Sequence, residues 1–338
     1  MFLIGIIVLI IVSTVVVWKA SDALGDAADH LAYHHNMPSI VKGAIIAAVA
    51  SSFPEFATVI LSTAIHNAFE LGVAAIVGSA LFNILIIPAA CQIAIKKPLD
   101  AHRDIVFKEG QFYLISVVVL LLIFTLSALY FPVLGTEYLR GELNRGLVLV
   151  PLLLYVLYLF IQHQEIKDGR HEIDTFEPEM SLAKSWGKLI LSMILIFIAC
   201  EGLVYGAIEI GEILHMPVVF WGLTVVAAGT SVPDTLISVR DAKQGEAGAA
   251  LGNAFGSNVF DLLICIPTGV LIAGTAVIAM NEVIPLMGFL TFATLLTFIF
   301  LRIGLKLKRR ESITMLGVYA VFVLWMLAES LGFSHLVW

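Results

Sequence analysis

The chain has 338 residues, of which 60% are hydrophobic and only 13% are Asp, Glu, Lys or Arg, with a net charge of −7. Soluble domains are about a quarter charged, and the mean hydropathy of +0.99 departs from them in the same direction. An ordinary soluble domain is therefore excluded, and so is a nucleic-acid partner, because no basic stripe interleaves with aromatic residues. We expect membrane lipid as the surroundings, with no cofactor and no obligatory protein partner.

Apolar runs long enough to cross a bilayer, which takes roughly 20 residues, recur along the whole chain. They predict an all-α membrane protein with ten transmembrane helices. In chain order, the predicted spans are Phe2–His30, Ile40–Ile65, Leu71–Ile95, Phe112–Phe131, Leu147–Gln162, Leu189–Ile213, Val218–Val239, Ala247–Ala273, Val283–Leu301 and Ile313–Leu331. The first run is interpreted as a span and not a signal peptide, since it lacks a basic start and a cleavage site.

One long polar stretch, from Gln164 to Lys188, divides the chain into two halves of five spans. We therefore predict a first five-helix repeat at residues 1–163, a cytoplasmic linker at 164–188, and a second repeat at 189–338. Because five is an odd number, the second half would enter the membrane upside down relative to the first.

The distribution of basic residues predicts the orientation. Of the 19 Lys and Arg residues, only Arg140 and Arg145 fall outside the loops, and adjoining span ends, that follow the odd-numbered spans. By the positive-inside rule those loops are cytoplasmic. Both termini are then predicted to be extracytoplasmic, in a multi-pass protein of the plasma membrane.

The two halves repeat each other at an offset of 179 residues, from Pro38 to Pro217. The segment Ser51-Ser-Phe-Pro-Glu55 falls on Thr230-Ser-Val-Pro-Asp234 at this offset. One residue of slip later, Gly78-Ser-Ala-Leu-Phe-Asn83 falls on Gly256-Ser-Asn-Val-Phe-Asp261. Repeated sequence in halves of opposite orientation is typical of inverted-repeat secondary transporters.

Glu55 and Asp234 lie in the middle of spans two and seven. A lone charge at this depth costs at least about 2.5–3.5 kcal/mol, and no Lys or Arg lies at comparable depth in spans two, three, seven or eight. Cations from solution are the expected counter-charge. Pro54 and Pro233 precede the two acids and should break or kink their helices, which frees carbonyl oxygens.

Helical spacing places further oxygen atoms beside the acids. Ser51 and Thr230 each lie four residues before an acid, and Ser79 with Asn83, like Ser257 with Asp261, shares one helix face. Such an all-oxygen cage suits hard cations such as Ca²⁺, whereas soft metals would require Cys or His. Three glycines are interpreted as sites of close helix crossing: Gly78, Gly252 and Gly256.

These motifs resemble the calcium/cation antiporter superfamily, and in particular the sodium/calcium exchangers. The resemblance implies an antiporter, not an enzyme, that exchanges Na⁺ for Ca²⁺ by alternating access, with spans one and six as a sliding gate. It implies that Glu55 and Asp234 ligate Ca²⁺ with the backbone carbonyls of Ser51 and Thr230, and that Asn83 and Asp261 complete the centre. The residues that it implies for flanking Na⁺ sites are Ala48, Ser51, Ser52 and Ser79 in the first repeat, and Ala227, Thr230, Ser231 and Ser257 in the second.

Three alternatives stay open. Asp234, where many sodium/calcium exchangers have Glu, together with Asp261 resembles the potassium-dependent sodium/calcium exchangers, so K⁺ is a third candidate ion. An H⁺/divalent-cation exchanger would be expected to carry Gly-Asn-Ala-x-Glu, and here Gly252-Asn-Ala254 is followed by Phe255-Gly256. A cation channel, which is a different class of protein, could use acidic side chains in a pore.

Overall fold

The computed structural model describes residues 2–35, 48–101, 103, 105–135, 138–168, 180–333 and 337, and these are mostly helical. The predicted start of span two at Ile40, the repeat match at Pro38 and the middle of the predicted linker lie outside the described residues. The α-helices are α1 Phe2–His34, α2 Ala48–Ser51, α3 Phe53–Ala64, α4 Phe69–Ile95, α5 Gly110–Tyr130, α6 Leu149–Asp168, α7 Leu182–Leu214, α8 Val218–Trp221, α9 Ala227–Gln244, α10 Ala247–Phe260, α11 Ile266–Ala273, α12 Met280–Arg302 and α13 Arg309–Ser330.

Eight helical segments of the described residues are long and apolar enough to cross a membrane. They are Phe2–Ala32, Phe69–Ile95, Val106–Tyr130, Leu182–Leu214, Val218–Gln244, Ala247–Ala273, Met280–Arg302 and Arg309–Ser330. Their surfaces expose apolar side chains such as Ile4 and Leu324, as expected of helices that face lipid. The chain is therefore a multi-pass membrane protein.

The two remaining predicted spans coincide with shorter apolar helices, Phe53–Ala64 and Leu149–Gln164. A total of ten spans thus stays a prediction. Helices also extend into both ends of the predicted linker, because α6 continues to Asp168 and α7 begins at Leu182. Polar residues at a helix end are compatible with a helix that projects beyond the hydrocarbon.

The two prolines affect their helices differently. The helix of span two is interrupted at Ser52, and Pro54 lies in the first turn of α3, where the missing N–H is not needed. Pro233 lies inside α9, which runs without a break from Ala227 to Gln244. Span seven is therefore not broken at Pro233, and a kink there stays a prediction.

The second half has local π-helical turns near its motifs. One covers Gly222–Val226, immediately before α9, and the other covers Asp261–Cys265, immediately after α10. A π-turn adds a residue to the helical repeat and is often found at functional sites. Asp261 is the first residue of the second π-turn. It therefore lies where the backbone hydrogen bonding changes from the α-helical to the π-helical pattern.

Two short antiparallel strand pairs join loops that are distant in sequence. Strand β1 (Leu99–Asp100) pairs with β4 (Lys306–Leu307), and β2 (Arg140–Asn144) pairs with β3 (Thr275–Ala279). The chain is therefore mostly helical but not purely α-helical.

The long helices α1 and α7 form an antiparallel pair. A methyl group on Gly206 would lie 2.7 Å from Ile10, and one on Gly202 would clash with Ser13, so small residues permit the close approach. At the other end of the pair, the Lys188 ammonium forms an ion pair with Asp26. The pair is therefore held by packing and by charge.

The hydrophobic core has two parts. The larger cluster surrounds α4. Of the eight membrane-spanning segments this is the most buried, since 78% of its most apolar stretch lies inside the protein. A smaller cluster joins α1 and α7 to α3, through residues such as Val17, Leu203 and Phe53. Helix α4 therefore lies at the centre of the fold, and the α1–α7 pair packs against α3 and α9.

Candidate cation-binding site

Three carboxylates lie in the interior of the helix bundle. Glu55, in the first turn of α3, is 2% exposed, and Asp234 in α9 and Asp261 after α10 are fully buried. They come from both halves of the chain and are close enough to interact electrostatically. The structure therefore brings together the acids that the repeated motifs single out.

Hydroxyl groups connect the first carboxylate to the second half. Ser79 in α4 donates a hydrogen bond to Glu55 Oε1 at 3.3 Å, and its oxygen lies 2.8 Å from the hydroxyl of Ser231 in α9. The side chain of Thr230 also approaches Glu55. Two helices, α4 and α9, thus place hydroxyl groups beside one carboxylate.

The second carboxylate has a corresponding set of neighbours. Ser51, Asn253 and Ser257 lie close to Asp234. The hydroxyl oxygens of Ser51 and Ser257 are 3.0 Å apart, and Ser52 donates to the backbone carbonyl of Ser257 at 3.5 Å. Helix α10 therefore places polar side chains beside Asp234, as α4 does beside Glu55.

The contacts around the two acids are related by the sequence repeat. Ser79 and Thr230 adjoin Glu55, and their repeat partners, Ser257 and Ser51, adjoin Asp234. An equivalence found in the sequence therefore reappears as an equivalence of surroundings.

Several of these buried oxygens have no hydrogen-bond partner among the described residues. They are Glu55 Oε2, both carboxylate oxygens of Asp234, Asp261 Oδ2 and Asn83 Oδ1. An unsatisfied buried polar group costs about 1–3 kcal/mol, and more when it is charged. None of the ion pairs found in the described residues involves the three acids. Positive charge from outside the protein would satisfy all of these oxygens.

The arrangement is not a ready-made metal cluster. Within the described ranges no group of three or more His, Cys, Asp and Glu side chains has the geometry to hold a metal. Hydroxyl, amide and carbonyl oxygens would have to supplement the carboxylates, and Ca²⁺ takes six to eight oxygen ligands of these kinds.

The remaining residues expected at the site contact other residues of the repeated motifs, with one exception. Asn83 in α4 donates to Asn258 Oδ1 at 3.1 Å, and the carbonyl of Ala227, the first residue of α9, accepts from Thr230 Oγ1 at 3.2 Å. Ala48 is the first residue of α2, and its side chain lies outside the described part of the chain.

The three glycines expected at helix crossings differ. A methyl group on Gly78 would clash with the Leu223 carbonyl, so α4 does cross closely over the π-turn before α9. A methyl group on Gly252 would meet nothing within 4 Å, and one on Gly256 only the Tyr158 hydroxyl at 3.9 Å. The prediction of close crossing is therefore confirmed for Gly78 and wrong for the other two.

Two asparagines at the site were not predicted from the sequence. Asn258 is fully buried and donates to the Ala80 carbonyl at 3.1 Å as well as accepting from Asn83. Asn253 approaches Asp234. The repeat comparison does not reveal Asn258, because its repeat partner is Ala80. Asn253 could have been found from helical spacing, because it lies on the same helix face as Ser257 and Asp261, at intervals of four residues.

Comparison with known proteins identifies the family. The family model described as sodium/calcium exchanger protein matches residues 5–164 and 184–328. An uncharacterized membrane protein of Methanocaldococcus jannaschii is 27% identical over 324 residues, which are 95% of each chain. The sodium/calcium exchanger MaX1 of Methanosarcina acetivorans is 24% identical over 335 residues, with 90% of this chain and 93% of MaX1 covered.

A solved structure of the sodium-calcium exchanger NCX_Mj has the same fold. It superposes with a TM-score of 0.63 at 24% identity, over 94% of this chain and 97% of that chain. Both the matched family and the fold are those of transporters and not of enzymes. The chain belongs to the sodium/calcium exchanger protein family.

Proposed function

We propose that the chain is a secondary active antiporter that exchanges Na⁺ for Ca²⁺ by alternating access. The observation that carries this proposal is the pair of buried carboxylates, Glu55 and Asp234, of which Glu55 Oε2 and both oxygens of Asp234 have no donor among the described residues. Charged groups in hydrocarbon are retained where they face an ion pathway. Ca²⁺ and Na⁺ that take turns at the same oxygens would neutralise them in both directions of transport.

The proposed ligand roles are those that the resemblance to the family implies. Glu55 and Asp234 would bind Ca²⁺ with the backbone carbonyls of Ser51 and Thr230. Asn83 and Asp261 would complete the centre. Na⁺ would occupy flanking sites lined by Ala48, Ser51, Ser52, Ser79, Ala227, Thr230, Ser231 and Ser257.

The proposal includes ten spans in two inverted repeats, residues 1–163 and 189–338, with a cytoplasmic linker between them. The strand pairs support this topology. Strands β1 and β4 join the loops after spans three and nine, and β2 and β3 join the loops after spans four and eight. In a ten-span chain each pair joins loops on the same side of the membrane. Both termini would then be extracytoplasmic, and we propose the plasma membrane as the location.

The α1–α7 pair would act as the moving gate. Cys200 in α7 donates to the Pro54 carbonyl at 3.4 Å, so this helix touches the backbone beside Glu55. The next residue of α7 is Glu201. Its Oε1 lies 2.8 Å from Nε2 of His66, a residue of the turn after α3. A shift of α7 along α3 would change both contacts and would open the site to one side or the other.

Potassium is a third candidate ion, after Ca²⁺ and Na⁺. Asp261 adds a third buried carboxylate, and its Oδ2 has no donor among the described residues. Ca²⁺ carries two charges, so a third acid would favour an additional monovalent cation. Protons could also neutralise these acids, as in an H⁺/divalent-cation exchanger. These alternatives differ from the main proposal only in the ion that accompanies Ca²⁺ or replaces Na⁺.

Uptake of ⁴⁵Ca²⁺ into Na⁺-loaded proteoliposomes tests the proposal. We expect uptake that requires internal Na⁺ and persists when K⁺ is omitted and the pH gradient is collapsed. Glu55→Gln and Asp234→Asn should abolish it, whereas Glu246→Gln and Asp100→Asn, matched changes at exposed acids, should not. Ca²⁺ entry without internal Na⁺ would indicate a channel, and dependence on K⁺ or on the pH gradient would favour one of the alternative exchangers.

A further inference from the structure

A cavity of about 420 Å³ lies between α4, α5 and α12, apart from the cation site. Its floor is formed by Val77, Phe124 and Met287, which are themselves at most 2% exposed. Its volume lies within the roughly 300–1,000 Å³ of ligand pockets. The cavity therefore reaches from the surface into the hydrophobic core.

The lining suits an apolar occupant and not an ion in transit. Apart from three charged residues, all of its lining residues are apolar, and an ion would lose its hydration there without compensation. An empty apolar cavity in a packed core forfeits dispersion contacts. A flexible hydrocarbon chain would restore those contacts.

The three charged residues are Glu70, Arg140 and Glu282. Glu70 and Glu282 lie in the first turns of α4 and α12, where the helix dipole favours negative charge, and Arg140 begins β2. Glu282 interacts electrostatically with both Glu70 and Arg140, but no ion pair within 4.0 Å is found between the three in the described residues. One guanidinium and two carboxylates are therefore available to a ligand.

The charged groups and the apolar floor are separated by a distance that suits a lipid. From Glu70 to Val77 the α4 helix rises by about 10 Å, which leads from the end of a span into its apolar interior. A headgroup at the charged level would place its acyl chain at the floor.

We propose that this cavity binds a phospholipid whose headgroup carries a primary amine, with one acyl chain in the cavity. The phosphate would lie against Arg140, which suits phosphate oxygens. The ammonium would lie between Glu70 and Glu282 and donate up to three hydrogen bonds to them. A choline headgroup has no N–H to donate, and an anionic glycerol headgroup would meet two carboxylates without an ammonium.

Lipid retention by the purified full-length chain tests the proposal without a transport assay. Delipidated protein in detergent is mixed with phosphatidylethanolamine, phosphatidylcholine or phosphatidylglycerol of the same acyl chains, and bound lipid is measured by native mass spectrometry. We expect phosphatidylethanolamine to bind about tenfold more tightly than phosphatidylcholine, which corresponds to about one charge-assisted hydrogen bond. Glu70→Gln combined with Glu282→Gln should abolish this preference.

Two further variants distinguish recognition of the headgroup from binding of the acyl chain. Glu209→Gln with Glu212→Gln, a matched pair in α7 outside the cavity lining, should retain the preference. Val73→Phe, which fills the cavity, should weaken retention of all three lipids. Equal binding of phosphatidylethanolamine and phosphatidylcholine, tighter binding of phosphatidylglycerol, or a preference that survives loss of both carboxylates would each overturn the proposal.

Discussion

The hydroxyl oxygens of Ser79 and Ser231 lie 2.8 Å apart, in helices that belong to different halves of the chain. Since Ser79 also donates to Glu55, one hydroxyl links a carboxylate of the first half to a hydroxyl side chain of the second. A cation at Glu55 would therefore interact with residues of both halves. A site that opens alternately to two sides requires such an interaction.

Ser79→Ala should raise the KM for Ca²⁺ uptake about tenfold, because a hydrogen bond to a charged group contributes about 1.5–3 kcal/mol. The measurement is the dependence of Na⁺-driven ⁴⁵Ca²⁺ uptake on Ca²⁺ concentration. Ser116→Ala is the matched control, since Ser116 is equally buried but donates only to the Phe112 carbonyl of its own helix. An equal effect of the two changes would contradict the role given to Ser79.

Gly78→Ala and Gly252→Ala should change stability in opposite directions. A methyl group at Gly78 would clash with the Leu223 carbonyl, and overpacking of this kind typically costs about 1–3 kcal/mol. At Gly252 there is open space, so alanine should stabilise the helix by roughly 0.5–1 kcal/mol. Thermal unfolding in detergent measures both, and a lower Tm for Gly252→Ala than for Gly78→Ala would show that the helix crossing is wrongly placed.

Asn258→Ala should lower the apparent Tm, because it removes hydrogen bonds from α10 to both Asn83 and Ala80. Each such interhelical bond contributes about 1 kcal/mol. Asn253→Ala should instead weaken Ca²⁺ binding with little loss of stability, since Asn253 approaches Asp234 and makes one long hydrogen bond of 3.4 Å to Ser238. Unfolding and Ca²⁺ titration of both variants would separate the two roles, and identical profiles would contradict the distinction.

The gate can be tested with two cysteine crosslinks in a background without the native cysteines. A disulfide between positions Ser13 and Gly202 lies within the α1–α7 pair. Cysteines at positions His66 and Glu201, whose side chains meet at their tips, are joined by a disulfide-containing bifunctional reagent that links α7 to the turn after α3. If the pair moves as a unit, the first crosslink should leave ⁴⁵Ca²⁺ uptake intact and the second should stop it until a reductant is added. Arrest by the first crosslink alone would contradict movement of α1 and α7 together.

The sequence predicts the acids of the site well because two independent constraints meet there. A charge in an apolar run needs a physical reason, and the repeat places Glu55 and Asp234 at equivalent positions. Local spacing then yields the neighbouring hydroxyls. The structure brings these predicted groups together, and their roles as ligands stay predictions.

The remaining features depend on tertiary packing, which local patterns do not encode. Gly256 carries the same local pattern as Gly78, but only a methyl group on Gly78 would clash with a neighbouring segment. Pro233 is accommodated inside a continuous helix beyond a π-turn, which residue preferences do not predict. The contact of His66 with Glu201 joins residues 135 positions apart, and no periodicity relates them.

Equilibrium Ca²⁺ binding to the purified protein tests the central claim most directly. Titration calorimetry of the wild type, Glu55→Gln and Asp234→Asn, with and without Na⁺, would compare the site with its two altered forms. We expect the wild type to bind Ca²⁺, Na⁺ to displace it, and each variant to lose at least about tenfold in affinity, since removal of one charged ligand costs more than about 1.4 kcal/mol. Unchanged Ca²⁺ binding in both variants would contradict the assignment of these carboxylates as the ligands of the transported ion.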